Sequence, residues 1–251
     1  MKNLFLFLFL LVVFTSKAQD NRVSGLNSRQ FTKYWKVESE SPDYKVTFQG
    51  DTAEIVSPKG LTLWRKEKMS GKVTIEYDAC VVVESDGDRL SDLNCFWMAS
   101  DPQYPDNLWK REKWRSGIFL NCYSLQLYYL GYGGNHNSTT RFRRYDGDES
   151  GITNPKARPA ILKEYTDAGH LLKPNHWYHI KITNENNRVS YYIDGERLVD
   201  FRDAEPLREG WFGFRTTLSR TRISILSYEC SSQEATAVRL QWIGESPRQD
   251  K

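Results

Sequence analysis

The chain has little of several features that mark large classes of proteins. Its 251 residues include four cysteines, none in a CxxC pair, so their spacing does not indicate a zinc site. The 35 basic residues nearly balance the 32 acidic ones, for a net charge of +3. This near balance of basic and acidic residues argues against a protein that binds nucleic acids through its net positive charge. No segment has a convincing helical period, and a single long apolar run excludes a polytopic membrane protein.

That apolar run stands at the N-terminus. A lysine precedes the run at residues 4–14, and Ser16-Lys17-Ala18 has the small-x-small pattern of a signal-peptidase site. The run is shorter than the roughly 18 residues that a membrane-spanning helix needs. We therefore predict a signal peptide over residues 1–18 and export to the periplasm or beyond, with no membrane span. Residues 19–251 are predicted to form one domain, with a polar C-terminal tail from about residue 231.

The cysteines leave two interpretations open. Exported proteins meet an oxidising compartment, in which cysteines can pair as disulfides. Cys80 and Cys95 lie in apolar, strand-like runs, which equally favours buried free thiols for them and for Cys122 and Cys230. The oligomeric state also stays open at this stage.

Alternation of period two dominates the rest of the chain. The segments with this pattern are Lys72–Val83, Gly117–Leu130, Trp177–Thr183, Arg188–Ile193, Leu198–Phe201, Gly210–Leu218 and Arg222–Tyr228. Residues 184–187 would close a hairpin, and Asp194-Gly195 would form the next turn. Many short strands of this kind predict an all-β jelly-roll sandwich. Two long irregular segments, residues 86–114 and 131–170, interrupt the strands, and loops of that length are usually functional.

The densest polar stretch is GYGGNHNSTTRFRRY, residues 131–145. If residues 140–145 are extended, Arg141, Arg143 and Tyr145 share one face of the strand. Two guanidinium groups on one face can hold a carboxylate or sulfate bidentately. The rival interpretation is a solvated basic turn, but the interleaved aromatic and amide side chains favour a ligand site.

Two smaller clusters offer further candidates. Asp92 and Asn94 are two residues apart, so an extended chain puts them on one face, where they would line a sugar site. The rival role for Asp92 is to cap a turn. Arg215 lies within an apolar strand, GWFGFRTT, and is either paired structurally or faces a groove.

The strand patterns HWYHIKI, VSYYIDGERL and GWFGFRTTLSRTRISIL resemble those of the concanavalin-like lectin and glucanase jelly rolls. The stretches SDLNCFWMASDP, LQLYYLGYGGNHNSTTRFRRYDG and GWFGFRTT resemble small secreted proteins from polysaccharide-utilisation gene clusters of Bacteroidota, over about residues 64–228. Similar proteins include oligosaccharide dehydratases of ulvan degradation in marine flavobacteria. The resemblance implies a carbon–oxygen lyase that removes water from a non-reducing-end uronic acid and leaves a 4,5-unsaturated uronyl residue.

The residue types suggest which side chains would perform such an elimination. It needs a base for the C5 proton, neutralisation of the carboxylate, and an acid for the leaving group. His136 is the candidate base, because imidazoles titrate near neutrality, and Tyr132 or Tyr145 is the candidate acid. The candidate substrate-binding residues are Arg141, Arg143, Asn94, Asn137, Arg215, Asp92 and Trp97.

Other functions remain open from the sequence. A polysaccharide lyase would use the same groups with a sugar as leaving group. A non-catalytic carbohydrate-binding protein would not need His136 and would stack sugars on the tyrosines and on Trp97, Trp109 and Trp114. A glycoside hydrolase would need two carboxylates, such as Asp92 with Asp146 or Asp148. We expect an acidic oligosaccharide as partner, no nucleic acid, no cofactor and no catalytic metal. A structural calcium held by loop oxygens would leave no clear sequence trace.

Overall fold

A computed structural model describes residues 26–231, so the predicted signal peptide and the tail beyond residue 231 lie outside the described residues. The strands are β1 Trp35–Ser39, β2 Lys45–Gln49, β3 Thr52–Arg65, β4 Met69–Ser70, β5 Lys72–Val81, β6 Leu93–Ser100, β7 Gln126–Gly133, β8 Thr139–Asp146, β9 Lys163–Tyr165, β10 Tyr178–Glu185, β11 Arg188–Ile193, β12 Glu196–Arg202 and β13 Glu209–Ser231. The described α-helices are single turns, at Phe31–Tyr34, Glu112–Arg115 and Ser150–Thr153, and a fourth helical turn, Gly134–Asn137, contains left-handed residues. The 3-10 turns are Leu108–Arg111, Leu120–Ser124, Pro155–Ala157 and Ala168–His170. None of the described helices is long and apolar enough to cross a membrane.

The strands pair antiparallel in the order β12-β11-β10-β5-β13-β6-β7-β8-β9, and β3 joins β1 and β2 to β13. The long strand β13 belongs to two layers. Its residues 211–215 pair with β6, whereas residues 221–231 pair with β5. We call β6, β7, β8, β9 and the first part of β13 the front sheet. We call β5, β10, β11, β12 and the last part of β13 the back sheet.

The main core lies between the two sheets. Trp97 of the front sheet packs on Tyr191 of the back sheet, with ring centroids 6.1 Å apart, and on Phe142 at 6.0 Å. All three side chains are fully buried. Burial of a large apolar side chain is worth roughly 1.5–3 kcal/mol, so this aromatic layer is a major term in holding the sheets together.

A second apolar cluster covers part of the outer face of the front sheet. Trp64 and Phe96 stack there at 5.6 Å, and the segment 101–125 packs over them through Leu108 and Tyr123. The front sheet is therefore buried on both faces where this segment covers it. Beside the cover, the same face is open and forms a cleft.

The all-β prediction is confirmed, and so is the hairpin, in which Glu185 pairs with Arg188 across a two-residue turn. Of the predicted strand Gly117–Leu130, only the part from Gln126 is extended. Leu120–Ser124 is instead a 3-10 turn of the covering segment. Apolar residues occupy both odd and even positions of this segment. A strand buried on both faces has the same pattern, so hydrophobicity alone does not distinguish the two.

The predicted irregular segments contain regular strands. β6 lies within residues 86–114, and β8 and β9 lie within residues 131–170. The polar side chains of β8 face the cleft instead of a core, which hides the hydrophobic alternation of that strand. The four cysteines, all among the described residues, are free thiols, and three of them are buried.

Candidate functional site

The cleft has a volume of about 370 Å³ and lies on the outer face of the front sheet. Its floor is a row of cross-strand neighbours: Arg215 pairs with Asn94, Asn94 with Gly131, and Gly131 with Arg141. The row crosses β13, β6, β7 and β8 in order. Strand pairing thus brings together two arginines and an amide that are far apart along the chain.

A second row runs parallel to the first, where Tyr129 pairs with Arg143. Each lies two residues from the first row on its strand, so both face the cleft. Gly131 makes room for the tyrosine, because a Cβ at that position would lie 2.3 Å from the Tyr129 hydroxyl oxygen. Burial raises the pKa of Tyr129 well above its ordinary value, and the charge of Asp92 adds to the effect. The hydroxyl is therefore protonated at neutral pH and is available to donate to a ligand in the cleft.

The cleft arginines differ in how fully they are paired. Arg141 donates from Nε to Glu164 at 2.5 Å. Arg215, 3% exposed, donates to the Gly117 carbonyl and lies 3.9 Å from Glu40. Arg143 donates to a backbone carbonyl, that of Pro159, and has no carboxylate in ion-pair range among the described residues. Arg143 is thus the cleft cation best able to bind an incoming anion.

Asp92 organises one wall of the cleft. Its carboxylate accepts from Arg89 at 2.5 Å and from the Ser91 hydroxyl at 2.9 Å, and it also accepts from the side-chain nitrogen of Asn94 at 3.2 Å. These bonds fix the Asn94 amide, whose Oδ1 is buried without a partner among the described residues. An unsatisfied buried acceptor costs about 1–3 kcal/mol. A ligand hydroxyl donating to this oxygen would remove that cost.

His136 is presented to the cleft by an unusual turn. Asn135, His136 and Asn137 have φ of 51°, 58° and 58°, so three consecutive non-glycine residues are left-handed. This conformation costs roughly 1–2 kcal/mol per residue for most side chains, although asparagine tolerates it. Strain that the surrounding structure maintains is typical of functional sites.

The turn is clamped to the segment 170–172. The Asn137 side chain accepts from the Leu172 amide at 2.8 Å and donates to its carbonyl at 2.9 Å. Next to it, Thr140 donates to the His170 carbonyl at 2.6 Å. The His170 ring lies 2.7 Å from Asp167 and 3.1 Å from Glu196. Partial burial opposes the charged form of His170, but these carboxylates outweigh it and raise the pKa.

The structure brings six of the predicted residues to the cleft: Asp92, Asn94, His136, Arg141, Arg143 and Arg215. Strand β8 is extended as predicted, and its alternation turns Arg141 and Arg143 to the same face. The predicted carboxylate-binding pair is therefore one surface, with Asn94 two strands away on β6.

Four predicted residues lie elsewhere, and the structure corrects their placement. Trp97 is fully buried between the sheets, so it cannot stack on a sugar. Tyr132 is on the opposite parity from Gly131, and its hydroxyl donates to Leu171 in the interior. Tyr145 shares the face of Arg143 but is fully buried beneath Tyr123. Asn137 points at the backbone of Leu172 and supports the turn without facing the cleft.

The cleft is also lined by three residues that were not predicted from the sequence, Tyr129, Arg89 and Glu40. A signal for Tyr129 was available, because it is two residues before Gly131 and so shares its face. The positions of Arg89 and Glu40 depend on folding of distant segments and carry no local pattern. Asp146 and Asp148, the partners considered for a hydrolase pair, do not line the cleft. No group of three or more His, Cys, Asp or Glu residues in the described range is arranged to hold a metal.

The clamp on the turn leads to a first prediction. Asn137→Gly keeps the left-handed backbone, because glycine adopts positive φ freely, but it removes both bonds to Leu172. A displacement of about 1 Å can cost up to about 100-fold in rate, so we expect kcat on the substrate proposed below to fall about tenfold or more with little change in KM. Asn186→Gly, at φ 57° in the β10–β11 turn, is the matched control. Equal kcat in both variants would show that the clamp does not position His136.

Comparison with solved structures adds the fold class. A Bacillus subtilis protein of unknown function with a galectin-like fold is 14% identical, covers 81% of this chain and 92% of its own, and has a TM-score of 0.64. Alginate lyase Aly36B is 12% identical, with coverages of 86% and 96% and a TM-score of 0.50. The carbohydrate-binding module CBM66 of Bacillus subtilis is 14% identical, with coverages of 78% and 94% and a TM-score of 0.50. These identities show the fold alone, and they confirm the jelly-roll prediction.

No curated protein matches the chain, so the resemblance to ulvan dehydratases stays a prediction. One protein family does match, over residues 55–226, which is more than half of the chain. The chain belongs to the family described as "Domain of unknown function (DUF6250)".

Proposed function

We propose that this protein catalyses a β-elimination on the uronic acid at the non-reducing end of an acidic oligosaccharide, with water as the leaving group. The proposal rests on three groups that line the same cleft: a cation without a carboxylate partner among the described residues, a protonated tyrosine, and a histidine on a clamped turn. These are Arg143, Tyr129 and His136. The cleft volume of about 370 Å³ lies in the range of pockets that take small ligands.

The reaction divides among these groups as follows. Arg143, with Arg141 beside it, binds the uronate carboxylate, which makes the proton on the adjacent C5 more acidic by stabilising the enolate-like charge. His136 accepts the C5 proton. The electron pair of the C5–H bond forms the C4–C5 double bond, and the bond from C4 to its hydroxyl breaks.

Tyr129 is suited to protonate the departing hydroxyl, so that it leaves as water. Its phenol carries a proton at neutral pH, and the charges of Arg143 and Arg215, which lower its pKa against the effect of burial, favour release of that proton as the C4 oxygen develops negative charge. After product release, His136 carries the proton taken from C5, and Tyr129 is left without the proton that departed in the water, so proton exchange with solvent restores both groups. Asn94 and Asp92 line the same cleft and would hold sugar hydroxyls.

The substrate class is proposed from two sources. The resemblance to dehydratases of ulvan degradation supports ulvan-type oligosaccharides, which carry uronic acids next to sulfated rhamnose. The pairing pattern of the arginines supports an anionic sugar, because Arg143 lacks a carboxylate partner among the described residues. The secretory leader predicted over residues 1–18 supports action in the periplasm or outside the cell, where such oligosaccharides are met.

Recognition of the carboxylate gives a direct test. Uronic-acid-terminated ulvan oligosaccharides and their carboxyl-reduced counterparts are incubated with the protein, and ultraviolet absorbance reports a conjugated double bond. We expect the chromophore to form from the acid alone. The reduced sugar lacks the carboxylate that conjugates with the new double bond, so its reaction is followed by mass. Loss of water from the reduced sugar, or no chromophore from the acid, would contradict the proposal. A carbohydrate-binding protein would bind both without any chromophore.

The proposed acid leads to a second prediction. Tyr129→Phe should keep the ring contacts with Phe96 and Phe119, at centroid distances of 5.4 and 5.6 Å, while it removes the donor. Positioned acid–base groups contribute about 10²–10⁴ in rate, so kcat should fall by at least about 100-fold. Tyr104→Phe, at an exposed position outside the cleft, is the control for loss of a tyrosine hydroxyl. Near-normal kcat in Tyr129→Phe, with an unchanged melting temperature, would assign the acid to another group.

A further inference from the structure

A second depression, of about 380 Å³, lies on the outer face of the back sheet. It is formed by β11, β12 and the turn between β10 and β11, and it belongs to the opposite layer from the cleft. Three arginines and a tyrosine line it: Arg188, Arg197, Arg202 and Tyr192. We call these four residues the arginine patch.

Strand pairing forces the patch residues together. Arg188 is the direct cross-strand partner of Arg202, and Tyr192 is the partner of Arg197. Like charges directly opposite one another on neighbouring strands are destabilising. Two bonds from Asp200 stabilise the Arg188 cation, so within this pair Arg202 is the cation that the sheet leaves exposed beside a like charge.

One carboxylate serves this patch. Asp200 accepts two bonds from Arg188, each of 2.6 Å, and lies 3.3 Å from Arg197. Glu185, at the rim, pairs with Lys72 at 3.0 Å. Arg202 has no carboxylate in ion-pair range among the residues that the structure describes. The patch thus has more guanidinium groups than anions to bind them.

Protection of a sheet edge is the rival explanation, because β12 is the last strand of the back sheet and charged side chains on edge strands discourage aggregation. Edge protection explains charges on β12. It does not explain why Arg188, on the neighbouring inner strand, opposes Arg202 around a depression that also holds an aromatic ring. Such a concave, cationic and partly aromatic surface has the composition of a ligand site.

We propose that the arginine patch is a second binding site, for the anionic groups of an acidic polysaccharide chain. Guanidinium forks bind sulfate and carboxylate oxygens bidentately, and the ring of Tyr192 offers a flat surface to a sugar. The patch would hold a polymer on the back sheet, away from the cleft. This inference concerns binding and does not depend on the reaction proposed above.

The test measures binding in an Arg143→Gln background, so that the cleft contributes little to retention of the polymer. Retardation in native gels that contain carrageenan, polygalacturonate or neutral dextran gives apparent dissociation constants. We compare Arg197→Gln/Arg202→Gln with Arg29→Gln/Lys33→Gln, which removes the same charge from exposed positions near the N-terminal helical turn. Thermal unfolding of each variant confirms folding, and single-stranded DNA is a further polyanion.

We expect retardation by carrageenan or polygalacturonate and none by dextran. Loss of two charge-assisted contacts should weaken binding at least about tenfold in Arg197→Gln/Arg202→Gln, and Arg29→Gln/Lys33→Gln should bind as the background does. Equal weakening in both double variants would reduce the effect to net charge and overturn the proposal. So would unchanged binding in the patch variant, which would leave edge protection as its role. Equal, patch-dependent binding of DNA would overturn the assignment to glycans.

Discussion

His136→Asn is expected to lower kcat on uronic-acid-terminated oligosaccharides by about 100- to 10,000-fold, the usual contribution of a positioned general base. Asparagine is the informative replacement, because it tolerates the left-handed φ of 58° that this position requires. The turn, its clamp on Leu172 and the arginines of the cleft should therefore remain in place. Binding of the oligosaccharide, measured by calorimetry, should change little while turnover is lost.

The matched control is His176→Asn, just before strand β10 of the back sheet, where its ring packs against Tyr178. This variant should retain normal kcat, because His176 does not line the cleft. If His136→Asn retained most of the activity, the base would be another group and the strained turn would have a different role. If His136→Asn lost both turnover and binding, the main role of His136 would be to bind the substrate.

Arg115→Met is expected to have the largest effect on stability. Arg115 is fully buried and donates to Glu38 at 3.2 and 2.6 Å, and to the Leu108 carbonyl at 2.6 Å. Burial raises the pKa of Glu38 in spite of the attraction of Arg115. The ion pair is thus costly to desolvate, and loss of one partner leaves the other buried and unpaired. Breaking such a pair costs about 3–5 kcal/mol in the free energy of unfolding.

Two further variants check that account by chemical denaturation. Glu38→Leu/Arg115→Met removes both charges and should recover much of the loss, because well-packed apolar replacements of buried ion pairs are often neutral. Lys72→Gln breaks an exposed pair and should cost less than about 1 kcal/mol. A double variant as unstable as Arg115→Met would show that the hydrogen bond to Leu108 and the ion pair with buried Asp101, 3.8 Å away, account for the loss, and not the unpaired Glu38.

The buried pair also matters for the cleft. Arg115 begins the part of the covering segment that continues through Gly117 to Phe119, and both of these contact Arg215. A cover loosened at Arg115 would release Arg215 from its carbonyl partner. Part of the activity is therefore expected to disappear in Arg115→Met below the temperature of global unfolding.

Much of the fold was predictable because most strands bury one face. Alternation located β5, β10 and β11, and the turn residues at 194–195 located the hairpin that follows. Strand β8 was not located by alternation, because its outward-facing residues line a cleft and are polar. The covering segment was also predicted wrongly. Its 3-10 turn buries Cys122 and Tyr123, and by hydrophobicity alone such a turn looks like a strand.

The candidate site was predictable where it is local in sequence. His136, Arg141 and Arg143 lie within eight residues, and parity alone put the two arginines on one face. Tyr132 and Tyr145 were proposed as the acid because they are near those residues in sequence, yet parity turns Tyr132 inward and the covering segment buries Tyr145. Tyr129 is now the candidate acid in place of Tyr132 and Tyr145, because Gly131 leaves room for its hydroxyl in the cleft. Long-range strand pairing, which brings Arg215 and Asn94 to the same row, has no local trace.

The most direct measurement of the central claim is the mass of the product formed from a saturated, uronic-acid-terminated ulvan oligosaccharide of defined length. The account predicts that the product keeps every sugar residue, has lost the mass of one water, and has gained ultraviolet absorbance. Two shorter sugars with the same chromophore would mean a polysaccharide lyase. Shorter sugars without a chromophore, or an unchanged mass after long incubation with folded protein, would contradict elimination in this cleft.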